Sequence, residues 1–358
     1  MFTMEEVVKA YLDCRKRKRK TIQVIEFEMN LEENLYNLYK DLNDNKYEIG
    51  KSICFVIEKP KYREVWAAQF RDRIVHHIIC NRIADKMTNT FIYDSYACIK
   101  GRGTLFGINR VDKFIKSASD NYKHKCYFLQ ADIKNYFVSI DKHILENIIF
   151  KKVKSKVNRE LLSKIIWHDP KSNVYLKSHK HLFDLVPPHK SLFNTPKSKG
   201  LPIGNLTSQF LGNVYLNELD QYVKRELKIK YYGRYVDDVV LISNNCNELK
   251  EKYKSMSEFV ESKLLLKFHP NKVILNKVEV GINFCGQIIL PYRKYIRSRV
   301  VKNVKEVYKN YGQFDNHFEK INSYMGLLVK GNTYKLRTKL TSNVDLKFNN
   351  QLTKLIRS

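Results

Sequence analysis

The most informative hydrophobic pattern in the chain is an apolar run that breaks at two acidic residues and then resumes. In residues 231–243, β-branched and aromatic residues flank Asp237 and Asp238 on both sides. This pattern predicts a β-hairpin with the two carboxylates at its tip. An Asp-Asp pair alone is more often an ordinary polar turn. A second apolar run, residues 128–140, carries Asp132 into the predicted end of another strand, and this repetition favours a shared site.

Other periodicities predict a mixture of helices and strands. Residues 1–50 are expected to form two short helices, and residues 150–200, rich in Lys and His, are expected to be irregular. The remaining predicted elements are helices at 70–79, at 247–264 and over most of the last 65 residues, a strand at 53–57, a strand and turn at 265–275, a strand or hairpin at 281–289, and a segment at 200–220 in which a loop leads into a helix capped at Thr207 and Ser208.

The charge balance is strongly basic. Lys and Arg total 65 against 37 Asp and Glu, which gives a formal net charge of +28. A polyanion is therefore the expected partner, and nucleic acid is the first candidate. A solubility charge or a lysine-rich compositional bias accounts for part of the excess. The run of six cations at 15–20 is as consistent with a solvated tail as with an RNA contact.

Cysteine spacing and hydropathy indicate the cellular compartment in which the protein is expected. The seven cysteines are scattered and never spaced as Cys-x-x-Cys, which favours reduced thiols over a disulfide framework or a zinc site. No stretch of 18 apolar residues predicts a membrane helix, and the first residues lack a signal-peptide pattern. A cytoplasmic protein is expected.

The three aspartates predict a metal centre. Neighbouring carboxylates repel one another unless cations lie between them. Carboxylates from two adjacent strands can hold two Mg²⁺ ions about 3.5–4 Å apart, which activates a 3′-hydroxyl and stabilises a leaving pyrophosphate. This is the chemistry of a nucleic-acid polymerase. The predicted catalytic residues are Asp132, Asp237 and Asp238, and the predicted Mg²⁺ ligands are these three residues and Ile133.

Further residues are candidates for holding a nucleotide. Lys61 and Arg63 follow a predicted strand and could clamp a triphosphate, although their pattern is equally typical of a solvated turn. Phe137 follows Asp132 closely and could pack under the sugar and exclude a 2′-hydroxyl; without that neighbour a core residue would be the better interpretation. Lys272 could protonate pyrophosphate as a general acid, or it could be a solvated lysine.

The order of these motifs is more specific than any one of them. Successive blocks begin at Phe70, Lys100, Asp132, Leu201, Tyr235, Leu266 and Phe284. Together they resemble the seven sequence blocks of a reverse transcriptase. The resemblance implies an α+β, right-hand polymerase fold with fingers, a palm built on an antiparallel sheet, and a helical thumb. It also implies a basic extension at 1–50, fingers and palm at 51–290 with an insertion at about 168–199, and a thumb at 291–358.

Within that family, the block at 201–209 resembles the reverse transcriptases of diversity-generating retroelements. Most reverse transcriptases carry Gln where this chain has Ile203, and Ser-Pro where it has Ser208 and Gln209. Ile203 and Gln209 are therefore expected to shape the base-pair pocket. The implied role is mutagenic retrohoming, in which a template-repeat RNA is copied into cDNA with errors at template adenines. The implied partners are the template RNA, the cDNA or primer, and an accessory variability determinant protein.

The last block is implied to grip the primer through Phe284, Cys285 and Gly286. Two residues depart from the common pattern of the family. Cys285 stands where Leu is usual, and Val138 stands where Pro is frequent. Neither change is expected to alter the chemistry of the site.

Two other functions are consistent with parts of the sequence. A defence-associated or retron-like reverse transcriptase would use the same chemistry in another role. A polymerase-derived scaffold that binds RNA without catalysis is an alternative of a different class. The intact acidic triad argues against the scaffold, because a protein without catalysis gains nothing from three carboxylates that repel one another.

Overall fold

The computed structural model describes residues 1–16, 18–310 and 317–341. By internal contacts the chain forms two compact units. The first unit comprises residues 1–93, 132–228 and 254–270, and the second comprises residues 94–131, 229–253 and those from 271 onward.

Helices and strands are mixed along the chain, as expected of the α+β class. In chain order the helices are α1 (Met4–Arg15), α2 (Ile22–Met29), α3 (Leu31–Asn43), α4 (Phe70–Thr88), α5 (Thr104–Ala118), α6 (Tyr136–Ser139), α7 (Lys142–Lys152), α8 (Lys156–Trp167), α9 (Lys180–Asp184), α10 (Leu206–Gln221), α11 (Cys246–Leu264), α12 (Ser298–Lys309), α13 (His317–Leu328) and α14 (Tyr334–Thr341). The strands are β1 (Ser52–Ile57), β2 (Arg63–Ala67), β3 (Tyr127–Asp132), β4 (Val174–Leu176), β5 (Tyr231–Tyr235), β6 (Asp238–Ser243), β7 (Ile274–Lys277), β8 (Ile282–Phe284), β9 (Gln287–Leu290) and β10 (Arg293–Ile296). Among the helices described, none combines the length and the apolar character needed to cross a membrane.

Three helices, and not the predicted two, fold the first 50 residues. α1 begins with a capping box, in which the side chains of Thr3 and Glu6 each accept a hydrogen bond from the other's main-chain amide. α2 ends before Asn30, and α3 begins at the next residue. α1 and α2 both pack against α4. The two-helix prediction was wrong because a single residue separates α2 from α3, so the break interrupts the helical pattern only briefly.

The first unit contains a three-stranded sheet with the order β2-β1-β4. β1 and β2 are antiparallel, with Ile53 opposite Ala67, and β4 runs parallel to β1. β4 lies within the predicted insertion at 168–199, so this segment contributes a strand to the sheet. The expectation that residues 150–200 are irregular was also wrong for 156–167, which form α8 and bury its apolar face.

The second unit is built on a four-stranded sheet with the order β5-β6-β3-β7. β5 and β6 form an antiparallel hairpin, and β3 pairs antiparallel with β7. A second antiparallel sheet has the order β10-β9-β8. α5 packs against β5, β6 and β9. The apolar core of this unit includes Tyr96, Ile108, Val111, Phe114, Phe128, Val240, Ile282 and Phe284.

The described residues after 297 are largely helical, as the sequence predicts. α12, α13 and α14 contribute to one small core, which includes Val304, Tyr308, Met325 and Leu328. Residues 311–316 and 342–358 of the predicted thumb lie outside the described residues. The division of the chain into fingers, palm and thumb stays a prediction.

Candidate functional site

The two neighbouring aspartates lie where the sequence predicts them, at the tip of a hairpin. β5 ends at Tyr235, β6 begins at Asp238, and these two residues are paired across the hairpin. Val236 and Asp237 form the hairpin turn between them. Both carboxylate residues are partly exposed. Val236 has a φ of 56°, a left-handed conformation that is sterically costly for a β-branched residue.

A buried glutamine contacts the second aspartate. The Gln130 side-chain nitrogen lies 2.9 and 3.1 Å from the two carboxylate oxygens of Asp238, and 3.0 Å from the main-chain oxygen of Asn283. Gln130 is 8% exposed and belongs to β3, the neighbour of β6 in the sheet. Gln130 is absent from the residues predicted from the sequence. The available signal was a polar residue inside an apolar run, two positions before Asp132.

Asp132 is the last residue of β3 and is partly buried. Its main-chain oxygen accepts a hydrogen bond from the His269 amide at 2.7 Å, and the Lys134 amide donates to the Lys267 oxygen at 2.8 Å. These two bonds flank Ile133, which pairs with Phe268 in an antiparallel bridge. In antiparallel geometry, the main-chain groups of Ile133 therefore point away from residues 267–269.

The predicted metal ligands are oxygen donors, namely three carboxylates and one main-chain carbonyl. Oxygen ligands of this kind suit Mg²⁺. Within the part of the chain that the structure describes, no three His, Cys, Asp or Glu side chains form a group that could hold a metal ion. The grouping of Asp132 with Asp237 and Asp238 around metal ions therefore stays a prediction.

Phe137 is tied to the loop of residues 200–205, here called the 200–205 loop. Its main-chain oxygen accepts a hydrogen bond from the Leu201 amide at 2.8 Å. Its ring packs against α10 so closely that a methyl group on Gly212 would lie 3.3 Å from the ring. The Tyr136 hydroxyl donates to the Gly212 carbonyl at 2.5 Å. Phe137 is only partly buried, so its ring is packed on one side and accessible on another.

The 200–205 loop is bonded to β2. The Ile203 oxygen accepts a hydrogen bond from the Trp66 amide at 2.7 Å, and the Asn205 side-chain oxygen accepts one from the Ala68 amide at 3.0 Å. Gly204 has a φ of 128°, and a Cβ there would lie 2.5 Å from the Trp66 oxygen. Close approach of two main-chain segments therefore requires glycine at this position.

The helix after this loop begins one residue earlier than the predicted cap. α10 starts at Leu206, with Asn205 as its N-cap residue, and Thr207 and Ser208 are buried in its first turn. The predicted capping position was therefore wrong, because Thr207 and Ser208 are already helical. The N-cap residue is Asn205, and its side chain bonds to the Ala68 amide. Ile203 is partly buried, whereas the Gln209 side chain is exposed.

The cationic candidates are exposed. Lys61 lies in the connection between β1 and β2, and Arg63 is the first residue of β2, opposite Ile57. β2 therefore carries both a candidate cation and the main chain that bonds the 200–205 loop. Lys272 is exposed at the end of a short 3₁₀ turn, Pro270–Lys272, which belongs to the second unit from Asn271 onward.

Of the predicted primer-grip residues, Phe284 is the last residue of β8, and Cys285 and Gly286 form the turn between β8 and β9. Phe284 is fully buried, and its ring meets that of Tyr96 edge-on with centroids 6.1 Å apart. Cys285 and Gly286 both have positive φ values, 49° and 88°. Burial, and secondarily the nearby Asp238 carboxylate, raise the pKa of the Cys285 thiol, which keeps it protonated. Contact with a primer would therefore come from the turn and not from the Phe284 ring.

The chain is similar to known proteins over much of its length. A family described as reverse transcriptase (RNA-dependent DNA polymerase) matches residues 50–289. The group II intron-encoded protein LtrA of Lactococcus lactis subsp. cremoris is 27% identical over 177 residues, which cover 46% of this chain and 26% of LtrA. A COX1/OXI3 intron 2 protein of Saccharomyces cerevisiae is 20% identical over 312 residues, which cover 70% of this chain and 33% of that protein. The chain thus spans about a quarter to a third of the length of these two relatives.

The fold is similar to that of a telomerase. A structure of apo telomerase from Candida tropicalis, truncated from its C-terminal domain, superposes with a TM-score of 0.51 and 13% sequence identity. The match covers 70% of this chain and 55% of the telomerase chain. At this identity the likeness concerns the fold alone.

Proposed function

The chain belongs to the reverse transcriptase family, and on that premise we propose that it is an RNA-directed DNA polymerase. The observation that carries the proposal is the pair of carboxylates at the β5–β6 hairpin tip, inside the segment that matches the family. Gln130 supports it, because a buried amide within hydrogen-bond distance of both Asp238 oxygens limits the rotation of that carboxylate. A fixed orientation is what a metal ligand requires.

We assign the catalytic centre to Asp132, Asp237 and Asp238, with the Ile133 carbonyl as a further ligand. β3 and β6 are neighbours in one sheet, and Gln130 contacts Asp238. Asp132 is assigned from the sequence pattern, because it ends one apolar run as Asp237 and Asp238 interrupt another. Two Mg²⁺ ions bound here would activate the primer 3′-hydroxyl and neutralise the leaving pyrophosphate. The aspartates would hold these ions beside the primer 3′-hydroxyl.

The nucleotide would be held by residues around β2, α6 and the 200–205 loop. Arg63 and Lys61 are exposed on β2 and ahead of it, where they can form charge-assisted contacts with a triphosphate. The Phe137 main chain is bonded to Leu201, and its ring packs beside Gly212. A ring held in this way would be placed to exclude a 2′-hydroxyl. Lys272 would donate a proton to the leaving pyrophosphate.

The more specific role is mutagenic retrohoming by a diversity-generating retroelement. Its support is the sequence of the 201–209 block, with Ile203 and Gln209. Ile203 cannot offer the polar side-chain contact that Gln offers at this position. A pocket with fewer buried polar contacts discriminates less strongly between nucleotides. The partners would be a template-repeat RNA, its cDNA and an accessory variability determinant protein, and the turn at Phe284, Cys285 and Gly286 would grip the primer.

Replacing Ile203 by Gln tests the subgroup. We expect the purified protein to extend a primer on an RNA template containing adenine, with errors concentrated opposite adenine, and Ile203→Gln to lower that error frequency. Sequencing of the products measures both. The matched control is Ile25→Gln on the exposed side of α2, which should leave the error spectrum unchanged.

Two results would point elsewhere. Accurate cDNA from the unmodified protein would favour a defence-associated or retron-like reverse transcriptase. An error spectrum that does not respond to Ile203→Gln would show that the missing polar contact at this position is not the cause of infidelity. Both results would still be consistent with polymerase activity.

A further inference from the structure

Arg234 is an arginine that the fold buries completely, beside the carboxylate pair. It lies on β5 and has 0% exposure. Removing a guanidinium from water is costly, so a buried arginine is expected to make several hydrogen bonds. One nitrogen of its guanidinium lies 2.8 Å from the main-chain oxygen of Val236, and another lies 3.3 Å from the Ser95 hydroxyl.

The bond to Val236 falls on the most strained residue of the hairpin turn. A β-branched residue with a φ of 56° is a steric outlier. Strained residues of this kind persist where the surrounding structure holds them, and they occur preferentially at functional sites. The Arg234 guanidinium donates to the carbonyl of this residue, and the next residue in the chain is Asp237. The orientation of the Asp237 main chain is therefore set partly by a hydrogen bond from Arg234.

Arg234 is itself anchored by a second segment of the same unit. Its amide donates to the Asp94 oxygen at 2.9 Å, and its oxygen accepts from the Tyr96 amide at 2.9 Å. The Asp94 carboxylate accepts two hydrogen bonds from Arg110 of α5, at 2.6 and 3.1 Å. A chain of bonds thus runs from α5 through Asp94 and Arg234 to the Val236 carbonyl.

We propose that Arg234 is a positioning residue for the proposed polymerase reaction: it holds Val236 in the left-handed conformation and so fixes Asp237 for metal binding. The inference rests on the proposed function. The guanidinium supplies the bond that offsets the strain in the turn. Its contact with the Ser95 hydroxyl orients it, and the main-chain bonds to Asp94 and Tyr96 fix the Arg234 backbone.

The test compares Arg234→Lys and Arg234→Met with the unmodified protein. A lysine keeps the charge but lacks the planar fork that reaches two acceptors. We expect kcat for primer extension to fall about 100-fold, the effect that a displacement of about 1 Å produces at a catalytic site. The Mg²⁺ concentration for half-maximal rate should rise, and Mn²⁺ binding to the free protein, measured by electron paramagnetic resonance, should weaken.

Two further variants separate positioning from general loss of structure. Arg159→Lys is the matched control, because the Arg159 guanidinium also donates to two main-chain carbonyls, those of Phe150 and Val153, both at 2.7 Å. It should leave Mn²⁺ binding unchanged. Val236→Gly added to Arg234→Lys should restore rate and Mn²⁺ binding about 10-fold, because glycine adopts the left-handed conformation without steric cost.

The proposal is overturned if Arg234→Lys binds Mn²⁺ as tightly as the unmodified protein, or if Val236→Gly restores neither property. An inactive unmodified protein would contradict the proposed polymerase function, while the Mn²⁺ measurements would still decide whether Arg234 positions the turn. Thermal unfolding of every variant shows whether the compared proteins are folded at the assay temperature.

Discussion

At the level of single residues, Gly204 controls how closely the 200–205 loop approaches β2. Its φ of 128° and the 2.5 Å gap between a Cβ and the Trp66 oxygen leave no room for a side chain. We expect Gly204→Ala to lower the free energy of unfolding by about 1–3 kcal/mol, the usual cost of one strained residue. It should also raise KM for the incoming nucleotide, because the Ile203 segment has to move.

Chemical denaturation and steady-state kinetics of Gly204→Ala measure these two effects. The control is Gly326→Ala in α13, where a Cβ meets nothing within 4 Å. Alanine is the better helix former, so this control should be neutral or stabilising by up to about 1 kcal/mol. Equal stability of Gly204→Ala and the unmodified protein would show that the loop does not depend on this close approach.

His76 makes the fold sensitive to acid. Burial, together with the positive charge of neighbouring groups, lowers its pKa to about 3. The unfolded chain has the ordinary pKa of about 6.5. Between these values the unfolded state binds more protons, so this residue's contribution to stability falls as the pH drops from about 6.5 to 3. Within the described residues its Nδ1 has no hydrogen-bond partner, so no hydrogen bond at this atom offsets the cost of placing a charge on the buried ring.

We expect His76→Leu to lose less stability than the unmodified protein between pH 7 and pH 4. Urea unfolding at both pH values measures the loss for each protein. A tenfold difference in proton affinity between the folded and unfolded states corresponds to about 1.4 kcal/mol. The exposed His124 provides the control variant His124→Leu, which should leave the pH dependence unchanged. Identical pH dependence in His76→Leu would show that this histidine does not titrate on unfolding.

At the level of elements, Glu64 of β2 joins the predicted insertion to the sheet. Its buried carboxylate accepts hydrogen bonds from the Leu192 amide at 2.8 Å, from the Ser191 hydroxyl and from the Trp66 indole at 3.1 Å. The Glu64 side chain is 4% exposed, so these donors would lose their partner in a place that water does not reach. Glu64 therefore ties the segment around 188–196 to β2, in addition to the packing of Leu192 against Cys54 and Trp66.

We expect Glu64→Ala to destabilise the protein by about 1–3 kcal/mol for each donor left unpaired. Hydrogen exchange should increase for the amides of residues 188–196 before it increases in α4. Glu64→Gln keeps one acceptor oxygen and should have a smaller effect, and Glu33→Ala at an exposed position of α3 should leave exchange at residues 188–196 unchanged. Unchanged exchange in Glu64→Ala would mean that β4 pairing and the packing of Leu192 hold the insertion without this carboxylate.

The local hydrophobic pattern was sufficient to predict elements in which apolar residues alternate or recur at helical spacing. The β5–β6 hairpin and α11 are present where the periodicity predicts them, and α4 begins at the predicted residue but continues beyond the predicted end at 79 to Thr88. β4 could not be predicted, because it has three residues and exists through pairing with β1, more than 100 residues earlier. α8 was missed because its apolar positions are embedded in a stretch rich in Lys and His, whose composition is typical of a loop.

For the molecule as a whole, motif order predicted the family, since seven short blocks in one order are far more specific than any single block. Carboxylates at strand ends were also predictable, because acidic residues rarely interrupt apolar runs without a role. Gln130 and Arg234 were not predictable in this way. Their importance depends on burial and on contacts between segments that are distant in sequence, such as Arg234 with Ser95.

The net charge of +28 favours binding to nucleic acid, but it does not indicate which nucleic-acid sequence is bound. Contacts with phosphates are strongly dependent on salt and insensitive to base identity. Nucleic-acid binding is therefore a general property of this charge, whereas the chemistry proposed at the hairpin tip is specific to a polymerase.

The most direct test is synthesis of DNA from a primer on an RNA template with Mg²⁺, compared between the unmodified protein, Asp237→Asn and Asp120→Asn. Asp120 is an exposed aspartate in a loop and controls for the loss of one negative charge. We expect synthesis by the unmodified protein and by Asp120→Asn, and a loss of at least 100-fold in Asp237→Asn, roughly the scale on which removal of a key catalytic group acts. Synthesis by Asp237→Asn at the unmodified rate, or no synthesis by any of the three folded proteins, would contradict the proposed polymerase function.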